Sequence, residues 1–275
     1  MDIKFVVDDC VLILNILFGP SVSEPIYKLK QKLWLNYKNE YNNLYKEKNI
    51  ILNDAKNYIP NDDTIFNIIL ESDEYKDIKA STEKYRMQIT SLWTKKVFKN
   101  LKEILKTNFE PYTVYLIDDA LDVIDSSAVK DNNVIVFGKK IPAESSYKIV
   151  LDIANAILHR EASKNNEVDT KIVSAIIELA LYNELATRLT TKSCYFLGEQ
   201  SLTPIKRQLY PYWLMYLGIE KNNMAKYMLR DKIAFDVDKF PYEKKLKELD
   251  ILEFIGFVIR NKRYLKHNYR GNKYG

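Results

Sequence analysis

The sequence contains few cysteines, glycines and prolines. Its two cysteines, Cys10 and Cys194, stand in apolar surroundings without a CxxC pair, so they are too few for a disulfide scaffold. The 7 glycines and 8 prolines among 275 residues argue against a disordered chain and against an all-β fold with many turns. No apolar run is long enough to cross a bilayer, and a signal peptide would not carry Asp8 and Asp9 ahead of its apolar segment. We therefore expect a reduced, cytoplasmic protein without a membrane partner.

The positive charge of the chain is concentrated at its C-terminal end. The formal net charge is +5, and the last sixteen residues hold six basic residues and no acid. Without this tail the protein is about neutral, which argues against a nucleic-acid-binding domain. The basic residues of the tail are Arg260, Lys262, Arg263, Lys266, Arg270 and Lys273.

The first part of the chain, residues 1–107, is predicted to be a helical N-terminal region. Residues 3–7 alternate weakly and indicate a short strand, after which Asp8 or Asp9 caps a helix that ends at Gly19. Two further apolar stripes at spacings of three and four residues predict helices. The stripes consist of Ile26, Leu29, Leu33, Tyr37, Tyr41 and Leu44, and of Ile89, Leu92, Trp93, Val97, Leu101, Ile104 and Leu105.

The remaining residues, 108–275, are predicted to combine a small sheet with helices. The β-branched and aromatic segments 112–117 and 133–137 indicate two strands. Helices are predicted from Ser145 or Ser146 to about residue 163, and from Asp169 to about residue 189. A further helix is predicted to begin at Thr203, and a last helix is predicted to span roughly 242–264. The aromatic run 210–216 is interpreted as buried packing. The expected fold class is α+β, predominantly helical with a small sheet.

Two short segments of this second region hold the candidate functional residues. The first reads Asn155-Ala156-Ile-Leu-His159, and the second reads Asn183-Glu184. The order of the predicted elements resembles that of the zincin-type metallopeptidases, in particular their gluzincin branch. Two strands are followed by a helix with a histidine near its end and then by a helix with Asn-Glu. In that family the first helix carries His-Glu-x-x-His, whose histidines bind zinc and whose glutamate is the general base. A glutamate on a following helix supplies the third ligand.

The resemblance places His159 at the second histidine and Glu184 at the third ligand, and it makes the strand near 134–137 the edge strand that holds a peptide. Asn155 stands at the first histidine and Ala156 at the general base, so the motif is degenerate. An Asn amide is a poor substitute for imidazole, and Ala156 cannot accept a proton from water. The resemblance therefore implies a vestigial cleft with no catalytic residue, metal or cofactor.

Simpler interpretations exist for both of the retained residues. His159 stands beside Arg160 at the end of a helix, where a basic side chain interacts favourably with the helix dipole. Glu184 precedes Arg188 by four residues, so that an ion pair along the helix explains it.

The expected function is that of a degenerate metallopeptidase-like protein without peptidase activity, which holds a peptide or a protein partner in the vestigial cleft. One alternative is a helical scaffold or binding protein that uses its basic tail on RNA or another acidic partner. The other is a zinc-dependent, peptidase-like hydrolase with an atypical metal site built from His159, Glu184 and a further group.

Overall fold

The structure of the protein, a computed structural model, divides into two compact units. The first comprises Met1–Trp93 and Phe109–Ile153, and the second comprises Thr94–Asn108 and Ala154–Gly275. The structure describes residues 2–20, 23–60, 63–118, 121, 123, 133–142, 145–164, 169–190, 197–230 and 244–262. The predicted boundary at residue 107 stays a prediction.

The first unit contains a three-stranded parallel sheet. Its strands are β1 (Ile3–Val6), β2 (Tyr112–Leu116) and β3 (Val134–Phe137), in the order β1-β2-β3. Ile3 lies opposite Tyr112, and Thr113 lies opposite Val134. The predicted strands near 112–117 and 133–137 therefore belong to one sheet, and the short strand expected at residues 3–7 joins it.

Five α-helices follow β1 along the chain before it enters the second unit. Asp8 caps the first of them, because its Oδ1 accepts the N–H of Val11 at 3.1 Å. The helix ends before Gly19, as the sequence predicts. The helices are α1 (Asp9–Phe18), α2 (Glu24–Asn36), α3 (Lys38–Asn53), α4 (Thr64–Glu71) and α5 (Asp73–Leu92), with a 3-10 turn at Ala55–Asn57.

The core of the first unit is built on α1, whose residues from Val11 to Leu17 are all buried. Such a helix is apolar on every side, which is typical of an element enclosed by others. Side chains of the sheet, including Tyr115 and Val136, and residues of α2, α3 and α4 complete the same cluster. This cluster buries the stripe Ile26, Leu29 and Leu33 of α2.

The second unit is helical throughout its described part. The helix predicted from Asp169 to about residue 189 is present but contains a π-helical segment. Within the described part of the predicted helix 242–264, a 3-10 turn at Lys244–Glu248 precedes an α-helix that begins at Ile251, and residues 242–243 and 263–264 lie outside the described residues. Helix α7 begins in the first unit and continues into the second. The elements are α6 (Lys95–Leu105), α7 (Tyr147–Ser163), α8 (Thr170–Glu178), the π-helix Leu179–Leu185, α9 (Ala186–Thr190), α10 (Thr203–Tyr216), α11 (Lys221–Arg230) and α12 (Ile251–Arg260), with 3-10 turns at Gln200–Leu202 and Lys244–Glu248.

The aromatic run of α10 lies in the core of the second unit. All residues from Leu209 to Tyr216 are buried, which confirms the interpretation of this run as packing. The ring of Trp213 stacks on Tyr216 at a centroid distance of 4.9 Å, and Tyr216 lies 4.8 Å from Phe254 of α12. The fold is thus predominantly helical α+β, as expected. In the part of the chain that the structure describes, no helix is long and apolar enough to cross a membrane.

Candidate functional site

Helix α7 carries three of the predicted site residues on one surface. Asn155 and His159 lie one helical turn apart, and Ala156 follows Asn155. All three are half-buried, whereas Ile157 and Leu158 between them are fully buried. The helix therefore presents Asn155, Ala156 and His159 together at a partly exposed surface, and their assignment to a vestigial cleft stays a prediction.

The burial of His159 favours the neutral form of its imidazole. Burial lowers the pKa of its side chain from the usual 6.5, and the negative charge of Glu178 opposes this shift without reversing it. A neutral imidazole can accept a hydrogen bond or bind a metal ion. Glu178, the last residue of α8, is thus within electrostatic reach of His159. No hydrogen bond or ion pair joins His159 to Glu184, although the structure describes both residues.

Glu184 is engaged in a different interaction. Its Oε1 lies 2.8 Å from Nε of Arg188, one turn further along the helix, and this confirms the simpler interpretation of Glu184. Nη1 of the same arginine also lies 3.0 Å from Oε2 of Glu103 on α6. Arg188 therefore pairs with two carboxylates at once.

Asn183 lies inside the π-helix and is only 1% exposed. Its backbone carbonyl accepts the hydroxyl of Thr187 at 2.6 Å. Neither Oδ1 nor Nδ2 of the Asn183 side chain finds a hydrogen-bond partner within the described part of the chain. A buried polar group without a partner costs about 1–3 kcal/mol, and π-helical turns occur frequently at functional sites.

The most deeply buried charges of the second unit are Glu178 and Lys206, which form an ion pair. Lys206 is 0% exposed and Glu178 is 7% exposed. Nζ of Lys206 donates to Oε2 of Glu178 at 2.6 Å and to the carbonyl of Leu197 at 2.8 Å. The backbone N–H of Glu199 donates to Oε1 of Glu178 at 3.0 Å. Both oxygens of this carboxylate are therefore occupied by donors of the protein itself.

Gly198 allows the chain to pass directly over the Glu178 carboxylate. Its φ is +99°, a region that side chains of L-residues rarely adopt. A Cβ atom at this position would lie 2.5 Å from Oε2 of Glu178. The absence of a side chain thus permits the neighbouring N–H of Glu199 and carbonyl of Leu197 to reach the ion pair.

Our sequence analysis missed this ion pair, although the sequence carries a signal for it. Glu178 is the one charged residue in the apolar run 175–181. Lys206 lies three and seven residues before Leu209 and Trp213, on the helical face that these core residues define. A charge at a core position indicates a buried partner, because an isolated charge is too costly to bury.

Arg160, the neighbour of His159 on α7, has unused hydrogen-bonding groups. Its Nε and Nη2 atoms are buried, and neither has a hydrogen-bond partner in the described part of the chain. It lies in the last turn of α7, where a positive charge interacts favourably with the helix dipole. A guanidinium group binds carboxylates and carbonyl oxygens strongly.

The ligand set that zinc requires is not assembled among the described residues. No group of three or more His, Cys, Asp or Glu side chains is positioned to hold a metal ion there. Comparisons of the chain with protein-family models, with curated proteins and with solved structures gave no significant match.

Proposed function

We propose that this chain is a non-catalytic, metallopeptidase-like protein that holds a peptide segment of a partner protein beside α7. The observation that carries the proposal is the buried ion pair between Lys206 and Glu178, whose carboxylate acts electrostatically on His159. In a metallopeptidase of the type that the sequence resembles, a carboxylate near the histidine helix binds the metal ion. Here the ammonium group of Lys206 supplies the positive charge instead.

The ion pair opposes metal binding for an energetic reason. A zinc ion could reach the Glu178 carboxylate only by displacing Nζ of Lys206, which would then lie buried without a partner. Breaking a buried ion pair costs about 3–5 kcal/mol. Zinc would gain only two protein ligands in return, His159 and Glu178, whereas such sites use three.

The candidate site also lacks the general base that peptide hydrolysis requires. General-base catalysis is worth about 10²–10⁴-fold in rate, and Ala156 at the corresponding position of α7 has no group that accepts a proton. Asn155 has a neutral amide that does not act as a base at pH 7. Neither metal binding nor proton transfer is supported by these residues, which favours a binding function in place of hydrolysis.

Arg160 supports the binding part of the proposal. The guanidinium group of Arg160, a half-buried residue, would form charge-assisted hydrogen bonds with a carboxylate or a backbone carbonyl of a bound peptide. Because Arg160 is adjacent to His159, such a peptide would lie along the surface that also includes Asn155. The neutral imidazole of His159 could then accept a backbone N–H of the same peptide.

The proposal is tested with the purified full chain. We expect less than one equivalent of zinc after dialysis against zinc-containing buffer, and no hydrolysis of casein. An immobilised library of acidic peptides should contain binders whose affinity falls about tenfold or more in Arg160→Met, since a charge-assisted hydrogen bond contributes about 1.5–3 kcal/mol. Arg207→Met is the matched control, because Arg207 is an exposed arginine of α10.

Two results contradict the proposal. One tightly held zinc ion per chain would favour the hydrolase alternative. Equal loss of peptide binding in Arg160→Met and Arg207→Met would show that the library detects only the overall charge of the protein.

A further inference from the structure

Helices α2 and α3 expose an unusual amount of apolar side chain. Tyr27, Trp34 and Leu35 of α2 are 56%, 41% and 70% exposed, and Tyr45 of α3 is 49% exposed. On α2 these positions are seven and eight residues apart, so they form one stripe along the helix. The opposite face of α2 is buried in the core of the first unit. Helix α2 therefore carries apolar side chains on its exposed face as well as on its buried face.

The exposed aromatic rings belong to a connected set. Trp34 packs edge-on against Tyr41 at a centroid distance of 5.4 Å, and Tyr41 packs against Phe18 at 5.0 Å. Phe18 in turn contacts Tyr45 at 5.2 Å. Trp34 and Tyr45 are thereby fixed on one surface, which we call the aromatic surface. It consists of Phe18, Tyr27, Trp34, Leu35, Tyr41 and Tyr45.

Two lysines border the aromatic surface. Nζ of Lys38 lies 5.3 Å from the ring centre of Trp34, and Nζ of Lys48 lies 4.3 Å from that of Tyr45. Two further lysines of α2 have partners of their own, because Lys28 pairs with Glu24 at 2.7 Å and Nζ of Lys30 donates to the carbonyl of Gly19 at 2.9 Å. The surface therefore combines aromatic and aliphatic side chains with the positive charges of Lys38 and Lys48.

We propose that the aromatic surface binds peripherally to an anionic lipid membrane. Trp and Tyr are favoured at the boundary between headgroups and acyl chains, where an exposed Leu gains contact with acyl chains. Lysines near such a helix attract anionic headgroups. Peripheral binding of this kind requires no membrane-spanning helix, and the proposal is independent of the function proposed for α7.

Other occupants fit the aromatic surface less well. A second copy of the chain would bring two sets of lysines together, which like-charge repulsion opposes. Single-stranded nucleic acid binds by stacking bases on ring faces. One face of Trp34 and one face of Tyr45 are already covered by a lysine, and Leu35 offers nothing on which a base stacks. Aliphatic exposure and lysines together fit a lipid surface.

The test measures co-sedimentation of the full chain with vesicles. We expect binding to phosphatidylcholine vesicles that contain about one third phosphatidylserine, and weak binding to phosphatidylcholine alone. Trp93 and Trp213 are buried, so a blue shift of tryptophan fluorescence on binding reports Trp34. The double variant Trp34→Gln, Leu35→Gln should lose most of the binding. The matched control is Ile59→Gln, Met87→Gln, which removes two apolar side chains of similar exposure elsewhere.

A second variant set separates this surface from the overall positive charge of the protein. The double variant Lys38→Gln, Lys48→Gln should bind anionic vesicles roughly thirtyfold more weakly, whereas Lys84→Gln, Lys95→Gln should bind nearly as well as the parent. Equal loss in both lysine variants would overturn the proposal, as would unchanged binding of the Trp34 and Leu35 variant. So would failure of the parent to bind any vesicle, dimerisation through this surface, or binding of a single-stranded oligonucleotide that depends on it.

Discussion

Nζ of Lys206 lies 2.6 Å from Oε2 of Glu178 at a position where the lysine has no contact with solvent. We expect Lys206→Met to lower the free energy of unfolding by about 3–5 kcal/mol, because Glu178 would remain as a buried charge without its partner. Urea denaturation followed by circular dichroism measures this loss. Lys226→Met, which removes an exposed lysine of α11, should change stability by less than about 0.5 kcal/mol.

The double variant Lys206→Met, Glu178→Gln distinguishes an ion pair from simple packing of the lysine stem. With the carboxylate neutralised, no unpaired charge remains, so most of the lost stability should return. Equal instability of the single and double variants would mean that the stem of Lys206, and not its charge, supports the second unit.

Gly198 offers a test of the close approach of the chain to the same carboxylate. Gly198→Ala introduces a Cβ atom 2.5 Å from Oε2 of Glu178 at a φ of +99°, whereas a Cβ atom at Gly218, with a φ of +81°, finds its nearest neighbour at 4.0 Å. Both substitutions carry the backbone cost of positive φ, about 1–2 kcal/mol. Only Gly198→Ala should also disturb the ion pair, so it should be the more destabilising of the two in thermal denaturation. Equal melting temperatures would contradict the close approach.

The sequence predicts most elements of this fold because their signals are local. Asp8 caps α1, and alternating or apolar segments indicate β2 and β3. The break between α2 and α3 was not predicted, because no local sequence signal marks it. The apolar stripe from Ile26 to Leu44 continues through Tyr37, yet the backbone at Tyr37 leaves the helical region with φ −135° and ψ 46°, and α2 and α3 pack on each other as separate helices.

Long-range pairing explains the other differences. The pairing of Ile3 with Tyr112 joins segments more than a hundred residues apart, and no periodicity encodes it. At the candidate site the role that the resemblance gives His159 stays a prediction. The acid that acts on His159 is nevertheless Glu178, because the fold, and not the spacing along the chain, decides which carboxylate lies nearby.

Lys106 provides a prediction about pH. Its ammonium group donates to the carbonyls of Tyr216 and Lys247 and lies 4.0 Å from the ring centre of Tyr216, and burial lowers its pKa from 10.5 to about 8. Between these two values the unfolded chain binds more protons at this position than the folded chain. The contribution of Lys106 to the free energy of unfolding therefore rises with pH from about 8 to 10.5.

Lys106→Met should remove this contribution. Urea denaturation at several pH values between 7 and 10 gives the free energy of unfolding of the parent and of each variant. The difference between the parent and Lys106→Met should rise with pH. The difference between the parent and Lys102→Met should rise less, since Lys102 is exposed on the same helix. Identical pH dependence of the two variants would show that the pKa of Lys106 is not lowered in the folded protein.

The last prediction concerns which carboxylate could complete a zinc site with α7. Asn155→His places two imidazoles one turn apart on a helix, and a third ligand is then required. Glu178 is occupied by Lys206, and Glu184 is occupied by Arg188. Asn155→His alone should therefore bind zinc only weakly. Adding Lys206→Met releases Glu178, whereas adding Arg188→Met releases Glu184. Because Glu178 acts electrostatically on His159, we expect the variant with Lys206→Met to bind zinc more tightly, by about tenfold or more for one additional ligand.

Zinc titration monitored by calorimetry compares the two double variants directly, and thermal denaturation with and without zinc shows whether the metal stabilises them. Tighter binding in the variant with Arg188→Met would make Glu184 the acid that faces α7, as the resemblance to gluzincins implies. Zinc binding by neither folded variant would mean that no carboxylate of the second unit reaches the two imidazoles, and the metallopeptidase-like interpretation of α7 would then lose its physical basis. Because a bound metal stabilises only the folded chain, a variant that lost stability through Lys206→Met should regain it with zinc if Glu178 is the ligand.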